Sequence, residues 1–285
     1  AKGTVPVPDN LPVLATCDTF VVGAGTGGAP AGIAAARHGA KTIVGEYLYV
    51  EGGVETDGLI GYYYFGNRVG FTDDIDKGVR ATGSVFPQSK SEWYRSQQRK
   101  AGAEIWFGVF VNGVVISNGR VTGVVVVMAD GTRGLVRCAN AIDATGNAEL
   151  PAMAGEETEF ITDEDLSVQG VGLARNTMGT GYANSDIGFC DDTDAADVFY
   201  FALRSRLSLP EGTWDQAQVI NSRERRRMIG AFYMSASDVV CGRTYPDIIT
   251  RTFSQCGKDR ARFLTEKKLL ASRDITQIHN IADLP

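Results

Sequence analysis

Asp18-Thr-Phe-Val-Val-Gly23-Ala-Gly25-Thr26-Gly27-Gly28, then Ala-Pro-Ala-Gly-Ile-Ala-Ala-Ala-Arg37-His-Gly-Ala, then Lys41-Thr-Ile-Val-Gly-Glu46, is the stretch on which the fold turns. It reads as a strand, a glycine-rich turn, a small-residue helix, a second strand, and an acid at that strand's end. This is the plan of an ADP-binding βαβ unit. Gly23 permits the tight turn out of the strand. Gly25 lets backbone approach a pyrophosphate that a Cβ would keep away, and Gly28 lets the helix lie close to the sheet. Thr26 and Gly27 complete the turn, and the helix N-terminus offers free N–H groups to phosphate. Pro30 falls in the first helical turn, where its missing N–H costs little. Glu46 stands where a carboxylate would accept hydrogen bonds from a ribose diol.

Around this unit the chain punctuates itself. Residues 1–16 hold three prolines and no strong periodicity, and read as a lead-in segment. The spacing predicts a strand over 19–22, a helix over 27–38 and a strand over 41–46. A long connection over 47–71 carries Gly52-Gly53-Val-Glu-Thr56-Asp-Gly58 and Gly61-Tyr-Tyr-Tyr-Phe-Gly66-Asn-Arg68; a glycine-rich loop of that length inside a compact domain is usually functional. Helices are predicted over 73–80 and 90–101, the second with Trp93 and Tyr94 on its apolar side. Residues 104–110 are apolar and β-prone. Asn112-Gly113, Asn118-Gly119 and Asp130-Gly131 read as turns around strands at 114–117, 120–128 and 135–138, an antiparallel meander. A further short strand over 139–144 ends at Thr145-Gly146-Asn147. After residue 151 the pattern changes: a strand over 168–175, a helix over 194–207, an arginine block within 219–233, and a short helix over 235–240.

Composition narrows the classes. The chain has 285 residues, 44% hydrophobic and 22% charged, as an ordinary globular protein does. A net charge of -6 argues against a partner held through nucleic-acid phosphates. No apolar run approaches the roughly 20 residues of a membrane-spanning helix. Cys17, Cys138, Cys190, Cys241 and Cys256 form no CxxC pair, so reduced and mostly buried thiols are expected rather than a disulfide frame or a zinc site, and no metal site is expected. No charged-then-apolar leader is readable at Ala1; a start after Met removal, after a cleaved leader, or within a longer polypeptide all remain open. The sequence names no compartment; a soluble, cytoplasmic protein is slightly favoured.

The glycine-rich βαβ unit, a Gly-Gly pair after the second strand, a meander and a strand ending in Ala-Thr-Gly occur here in that order. This order resembles the FAD flavoproteins of the glutathione-reductase-like fold. More narrowly, the chain is similar to the bacterial FAD-dependent oxidoreductase family. The narrower resemblance rests on Gly52-Gly53…Gly58-Leu-Ile-Gly61, on Ile142-Asp143-Ala144-Thr145-Gly146-Asn147, and on Arg223-Glu224-Arg225-Arg226-Arg227-Met-Ile-Gly230 followed by Asp238-Val-Val-Cys-Gly242-Arg243…Pro246-Asp247. It covers about residues 17–252.

The resemblance implies an α/β protein: an FAD/NAD(P)-binding Rossmann-like domain with a β-meander over 17–150, and an inserted mixed α/β substrate domain over 151–253. Such proteins return late in the chain to the FAD domain through a strand and a glycine-rich turn. Residues 254–285 read as an atypical tail without that closing segment. The cofactor implied is FAD, with NAD as the alternative. Gly23, Gly25, Thr26, Gly27 and Gly28 would take the pyrophosphate, and Glu46 the ribose. Gly52 and Gly53 would pass close to the pyrophosphate or ribityl. Backbone of Val109 or Phe110 would meet adenine while their side chains are read as core. Thr145 and Gly146 would close over the ADP half.

The activity implied is oxidation or reduction of an organic small molecule by hydride transfer to or from the flavin. With His38 read as exposed and His279 in the tail, histidine catalysis is not expected. Tyr62, Tyr63, Tyr64, Asn67 and Arg68 follow the glycine-rich loop and could wall a substrate pocket, with Tyr63 and Arg68 as candidate catalytic residues. Arg226 is a third candidate, as a clamp on a substrate carboxylate. Its block reads better as an ion-pair network with Glu224, Asp191, Asp192 or Asp194. Homo-oligomerisation or an electron-transfer partner fits the same residues. So does a non-catalytic fragment or structural subunit that keeps the dinucleotide-binding fold.

Overall fold

A computed structural model describes residues 10–58, 70–83, 88–160, 167–172, 183–189, 194–207, 221–222 and 226–229. Tyr62, Tyr63, Tyr64, Asn67, Arg68, Cys190, Cys241, Cys256, the predicted helix over 235–240 and the tail over 254–285 lie outside the described residues. The chain divides into two units. The first takes its residues from 1–61, 70–159 and 226–228, and the second from 62–69, 160–225 and 229–285.

The first unit is built on strand β1, Val13–Val22, followed by helix α1, Gly28–Arg37, and strand β2, Thr42–Glu46. Helices α2 (Phe71–Ala81) and α3 (Gln88–Ala101) come next. Strands β3 (Glu104–Phe107), β4 (Phe110–Ser117), β5 (Arg120–Val127) and β6 (Arg133–Asp143) complete one sheet of order β3-β2-β1-β6-β5-β4. β3, β2, β1 and β6 run parallel, whereas β4, β5 and β6 form the antiparallel meander. Helix α4, Glu149–Ala154, and strand β7, Thr158–Phe160, follow, so the first unit extends past the boundary at residue 150 expected from the sequence.

The β1 pattern explains why the sheet is covered on both faces, as parallel sheets are. Phe20 and Val22 enter one core with Ile43, Val109, Val124, Val126 and Val136, while Val21 packs on the opposite face with Ala24 and Val44. Successive strand residues face opposite sides, so a run of apolar residues fills both. Helix α1 buries Gly28, Ala29, Gly32, Ile33 and Ala36, one stripe at helical spacing. Its small residues set its distance from the sheet: a Cβ on Gly32 would lie 2.4 Å from Val44 Cγ2. A second cluster joins Ala29 and Ile33 of that stripe to Ile75, Trp93 and Tyr94. Trp93 and Tyr94 are therefore buried as their helical spacing predicts.

Three expectations need correction. The lead-in segment does not run to residue 16, because strand β1 begins at Val13 and pairs with β6 from there. The pieces at 135–138 and 139–144 are a single strand, paired with β5 over 133–137 and with β1 over 135–143. Asn112-Gly113 is not a turn. It lies within β4 at a register shift between Val111 and Gly113, where one extra residue is absorbed as a bulge. Asn118-Gly119 is the real hairpin turn, with φ of 51° and 72°, as a two-residue type I′ connection requires.

Cys17 and Cys138, partners across β1 and β6, are buried free thiols. Burial pushes both thiols up, that of Cys17 to about 11, which keeps them unreactive.

The second unit contains strands β8 (Ser167–Gly172), β9 (Ala183–Phe189) and β10 (Asn221–Ser222) in one antiparallel sheet of order β10-β8-β9, and helix α5 (Ala195–Leu207). Asp194 caps that helix, its Oδ1 accepting the Ala196 N–H at 2.8 Å. Strand β11, Arg226–Met228, pairs with β7. Among the described residues, no helix is long and apolar enough to cross a membrane, and no cluster of three metal-ligating side chains occurs.

Candidate dinucleotide-binding site

The ends of β1, β2 and β6 come together at one edge of the sheet. β1 leads into α1 there, with β2 on one side and β6 on the other, the crevice in which open α/β sheets hold ligands. The chain is tightly laced at this edge. Gly23 N–H donates to the Gly45 carbonyl at 2.8 Å, Ala144 N–H to Val22 at 2.8 Å, and Gly52 N–H to Ala24 at 2.8 Å. Gly25 and Gly52 form an isolated parallel bridge, and the Thr26 hydroxyl donates to the Gly52 carbonyl at 3.4 Å. The predicted residues Gly23, Gly25, Thr26, Gly28, Glu46, Gly52 and Gly53 are therefore brought to one place.

The glycines are there for two different reasons. Gly23 has φ +92°, and a Cβ on it would meet the Ala144 carbonyl oxygen at 2.6 Å; a Cβ on Gly28 would lie 1.7 Å from the Gly23 oxygen. The fold itself demands glycine at both. At Gly25 it does not: a Cβ would meet nothing nearer than Gly53 Cα at 3.9 Å, and at Gly27 nothing within 4 Å. This open space borders the N-terminus of α1, whose first turn has no acidic residue and whose cap, Gly27, makes no side-chain hydrogen bond. The Ala29 and Ala31 N–H groups donate to the Gly25 and Gly27 carbonyls at 3.1 Å each and Pro30 has none, so the first-turn amide left for a ligand is that of Gly28. The helix dipole end suits an anionic group such as a diphosphate, and a side chain at Gly25 would stand in the open space.

Glu46 is buried at the end of β2, and its orientation comes from backbone donors. Oε2 accepts the Ala24 N–H at 2.7 Å and Oε1 the Leu48 N–H at 2.9 Å. Each carboxylate oxygen keeps a further lone pair for a hydroxyl donor. Glu46→Ala leaves two backbone donors unpaired, at about 1–3 kcal/mol each. The expected result is an unfolding temperature lower by at least about 5 °C and an FAD affinity reduced about tenfold; calorimetry and flavin fluorescence titration check the two separately.

Val109 and Phe110 part company. Val109 is buried and its N–H donates to the Glu46 carbonyl at 2.9 Å. Phe110, expected in the core, is 61% exposed, because alternation along β4 turns it away from the side that buries Val111.

Beyond β6, Asp143 organises the exit. Its Oδ1 accepts the Thr145 N–H at 2.9 Å and the Thr145 hydroxyl at 2.7 Å, and its Oδ2 accepts the Leu150 N–H at 3.1 Å. Gly146 follows at φ +73° and Ala148 at φ 48°, a left-handed position uncommon for alanine. Sequence reading missed Asp143, although an Asp two residues before a Thr at a strand end is an Asx-turn signal.

Arg226 lies at the same exit. Its N–H donates to Asn147 Oδ1 at 3.0 Å, its Nε to the Asn147 carbonyl at 3.0 Å, and its guanidinium pairs with Glu149; Arg227 pairs with Glu159. The ion-pair reading of the block is right in kind. Arg226 pairs with Glu149 and Arg227 with Glu159, while the expected partners Glu224, Asp191 and Asp192 lie outside the described residues. β11 lies against β7, which sets the two arginines beside these acids.

Glu51 went unremarked in the sequence. It is wholly buried one residue before Gly52, and neither carboxyl oxygen has a hydrogen-bond partner. No local signal marks it, since a Glu beside two glycines in a loop is ordinarily solvated.

A strand-turn-helix crevice with an open glycine turn and a buried acid at the end of β2 defines a dinucleotide-binding protein of the Rossmann-like class. A family model described as FAD dependent oxidoreductase matches residues 18–197, and this chain belongs to that family; its cofactor is FAD. No curated protein matches the chain in sequence. Among solved structures, a geranylgeranyl bacteriochlorophyll reductase-like protein from Thermoplasma acidophilum is similar in fold, at 17% identity and a TM-score of 0.51, over 93% of this chain and 82% of that one. THI4 from Thermovibrio ammonificans matches at 22% identity and a TM-score of 0.42, over 52% of this chain. The myxobacterial chondrochloren halogenase CndH matches at 13% identity and a TM-score of 0.43, over 75% of this chain. The chain spans 66% of the THI4 length and 64% of the halogenase length.

Proposed function

We propose that the chain is an oxidoreductase acting on an organic small molecule by hydride transfer, with FAD held along the edge formed by β1, α1, β2 and the β6 exit. The observation that carries this reading is the cradle at Gly25 and Gly27, open where the fold has no need of glycine, beside an uncapped helix N-terminus. When bound, the isoalloxazine supplies the hydride chemistry. The protein's residues bind and orient. The Gly28 amide and the backbone of the turn at Gly25 and Gly27 hold the diphosphate, and Gly52 and Gly53 let the neighbouring loop pass close to it. Glu46 accepts from the ribose diol. The Val109 carbonyl is the group left to meet adenine, since its N–H is bonded to Glu46. Thr145 and Gly146, held by Asp143, border the ADP half, and Arg226 acts through Asn147 to keep that exit in place. Tyr63 and Arg68 are the proposed substrate-facing residues, the arginine as a fork for an anionic group.

The test is the visible absorption spectrum of the purified chain, repeated on the filtrate after denaturation. A flavin spectrum released into the filtrate is the expected result. Colour that stays on the polypeptide means covalent attachment. A colourless protein that takes up no added FAD overturns the reading.

A further inference from the structure

We propose that the buried Glu51 carboxyl enters the FAD complex as the neutral acid, so that FAD binding and proton uptake are coupled through it. This rests on the cofactor site argued above and gives a role to a residue beside that site, one that neither the family match nor the glycine motif names.

The geometry comes first. Glu51 precedes the Gly52 and Gly53 pair, and this loop is pinned against the diphosphate cradle. Gly52 is bridged to Gly25, and a Cβ on Gly53 would lie 3.0 Å from Gly25 Cα. The Glu51 backbone is fixed at both ends: its N–H donates to Ser91 Oγ at 3.1 Å, and its carbonyl accepts from the Thr56 hydroxyl at 2.6 Å. The side chain is thus carried inward with 0% exposure. Beside it stands Gln98 of α3, also 0% exposed, whose Nε2 donates to the Ala29 carbonyl at 3.4 Å and whose Oε1 has no partner. Among the described residues, Glu51 Oε1 and Oε2 and Gln98 Oε1 are therefore buried oxygens without hydrogen bonds, the Glu51 pair directly before the loop that flanks the cradle.

The charges around the group are mixed. Burial pushes the Glu51 carboxyl up to about 8. The Arg95 guanidinium opposes that shift, the Glu46 carboxylate adds to it, and the Gln98 amide, lying close without the geometry of a hydrogen bond, and Arg99 oppose it. Tyr94 and Glu55 complete the surroundings: the Tyr94 hydroxyl donates to Glu55 Oε2 at 3.1 Å, and Lys90 pairs with the same oxygen at 2.8 Å. Lys90 is thereby occupied by Glu55, and Arg95 pairs with Glu92 at the surface. Among the described residues, nothing bonds an ionised Glu51.

FAD brings a doubly negative diphosphate to the cradle next door. Two like charges in a site of low polarity disfavour each other, so the bound diphosphate raises the proton affinity of Glu51 further. By linkage, the form that binds FAD better is the protonated one. Affinity is then flat where Glu51 is already neutral, falls as pH rises through about 8, and falls by about tenfold per pH unit at most. Folding carries the same sign: a carboxyl whose value is raised from 4.5 to about 8 contributes most below 4.5 and loses that contribution as pH rises through about 8.

The experiment is an FAD titration, followed by flavin fluorescence, from about pH 6 to about pH 9.5 on the full chain and on Glu51→Gln. Proton uptake is measured by calorimetry near pH 8.5 in two buffers of unlike ionisation enthalpy. Wild type is expected to lose affinity only above about pH 8 and to take up a proton on binding. Glu51→Gln, which keeps the shape without the ionisation, is expected to bind as wild type does near neutrality and to show no slope. Equal wild-type affinity across the range, no proton uptake, or an unchanged slope in the variant overturns the proposal while leaving the cofactor site standing. No FAD binding at any pH overturns the site and this proposal together. Should the variant fail to fold, the two-buffer measurement on wild type decides alone.

Discussion

Gly28→Ala lowers the unfolding temperature of the purified chain by roughly 10 °C and weakens FAD binding at least about 100-fold. The new methyl has nowhere to go. Its Cβ would lie 1.7 Å from the Gly23 oxygen and 2.9 Å from Ala144 Cβ, both parts of the buried crossing of β1, β6 and α1. Helix α1 must move off the sheet, and neighbouring contacts such as Gly32 on Val44 and Ile33 on Trp93 and Tyr94 move with it. Overpacking of this kind costs about 3 kcal/mol, the upper part of the usual range, because backbone and not a flexible side chain is struck. The helix N-terminus is displaced at the same time, which is why binding falls with stability. Differential scanning calorimetry of the cofactor-free protein checks the first effect. A variant as stable as wild type would show that the helix does not approach the sheet as described.

Gly25→Ala is the complementary experiment, and it separates ligand from fold. Its Cβ meets only Gly53 Cα at 3.9 Å, an ordinary contact, so the unfolding temperature is expected to stay within about 2 °C of wild type. FAD affinity is nevertheless expected to fall about 100-fold. The methyl stands in the cradle, and hydrogen bonds from amides to a charged phosphate contribute about 1.5–3 kcal/mol each when they can form. Equilibrium dialysis with FAD on a variant shown to be folded gives the answer. Unchanged affinity would place the diphosphate somewhere other than the α1 N-terminus. The pair has a diagnostic pattern: one glycine serves the chain and the other serves the ligand.

Much of this site was legible in residues 18–46 because its parts are close in sequence. A strand, a turn, a helix and a strand that follow one another state their own periods, and the spacing from Gly23 to Glu46 suffices to name the unit. The same locality made the hairpin at Asn118-Gly119 readable, since a two-residue turn carries its φ requirement in its own residues. Asn112-Gly113 carries the identical dipeptide and lies inside a strand. Pairing with β5 on one edge overrode the local preference and turned the extra residue into a bulge.

What only the tertiary structure decided are contacts whose partners lie far apart in the chain. β6 continues past Cys138 because β1 lies beside it, more than 100 residues earlier. Arg226 is held by Asn147 and Glu149, and nothing near residue 226 announces those acceptors. Glu46 was readable as an acid at a strand end, but its two backbone donors come from the turn after β1 and from its own exit. Glu51 shows the limit most plainly. Its neighbours in sequence are two glycines and a tyrosine-rich loop, which describe a solvated carboxylate, whereas α3 packs Gln98 beside it and it is buried with no hydrogen-bond partner among the described residues. Periodicity and turn chemistry are properties of neighbouring residues and are written in the sequence. Burial, and with it the protonation of a carboxyl, is a property of whatever the rest of the chain brings to cover it.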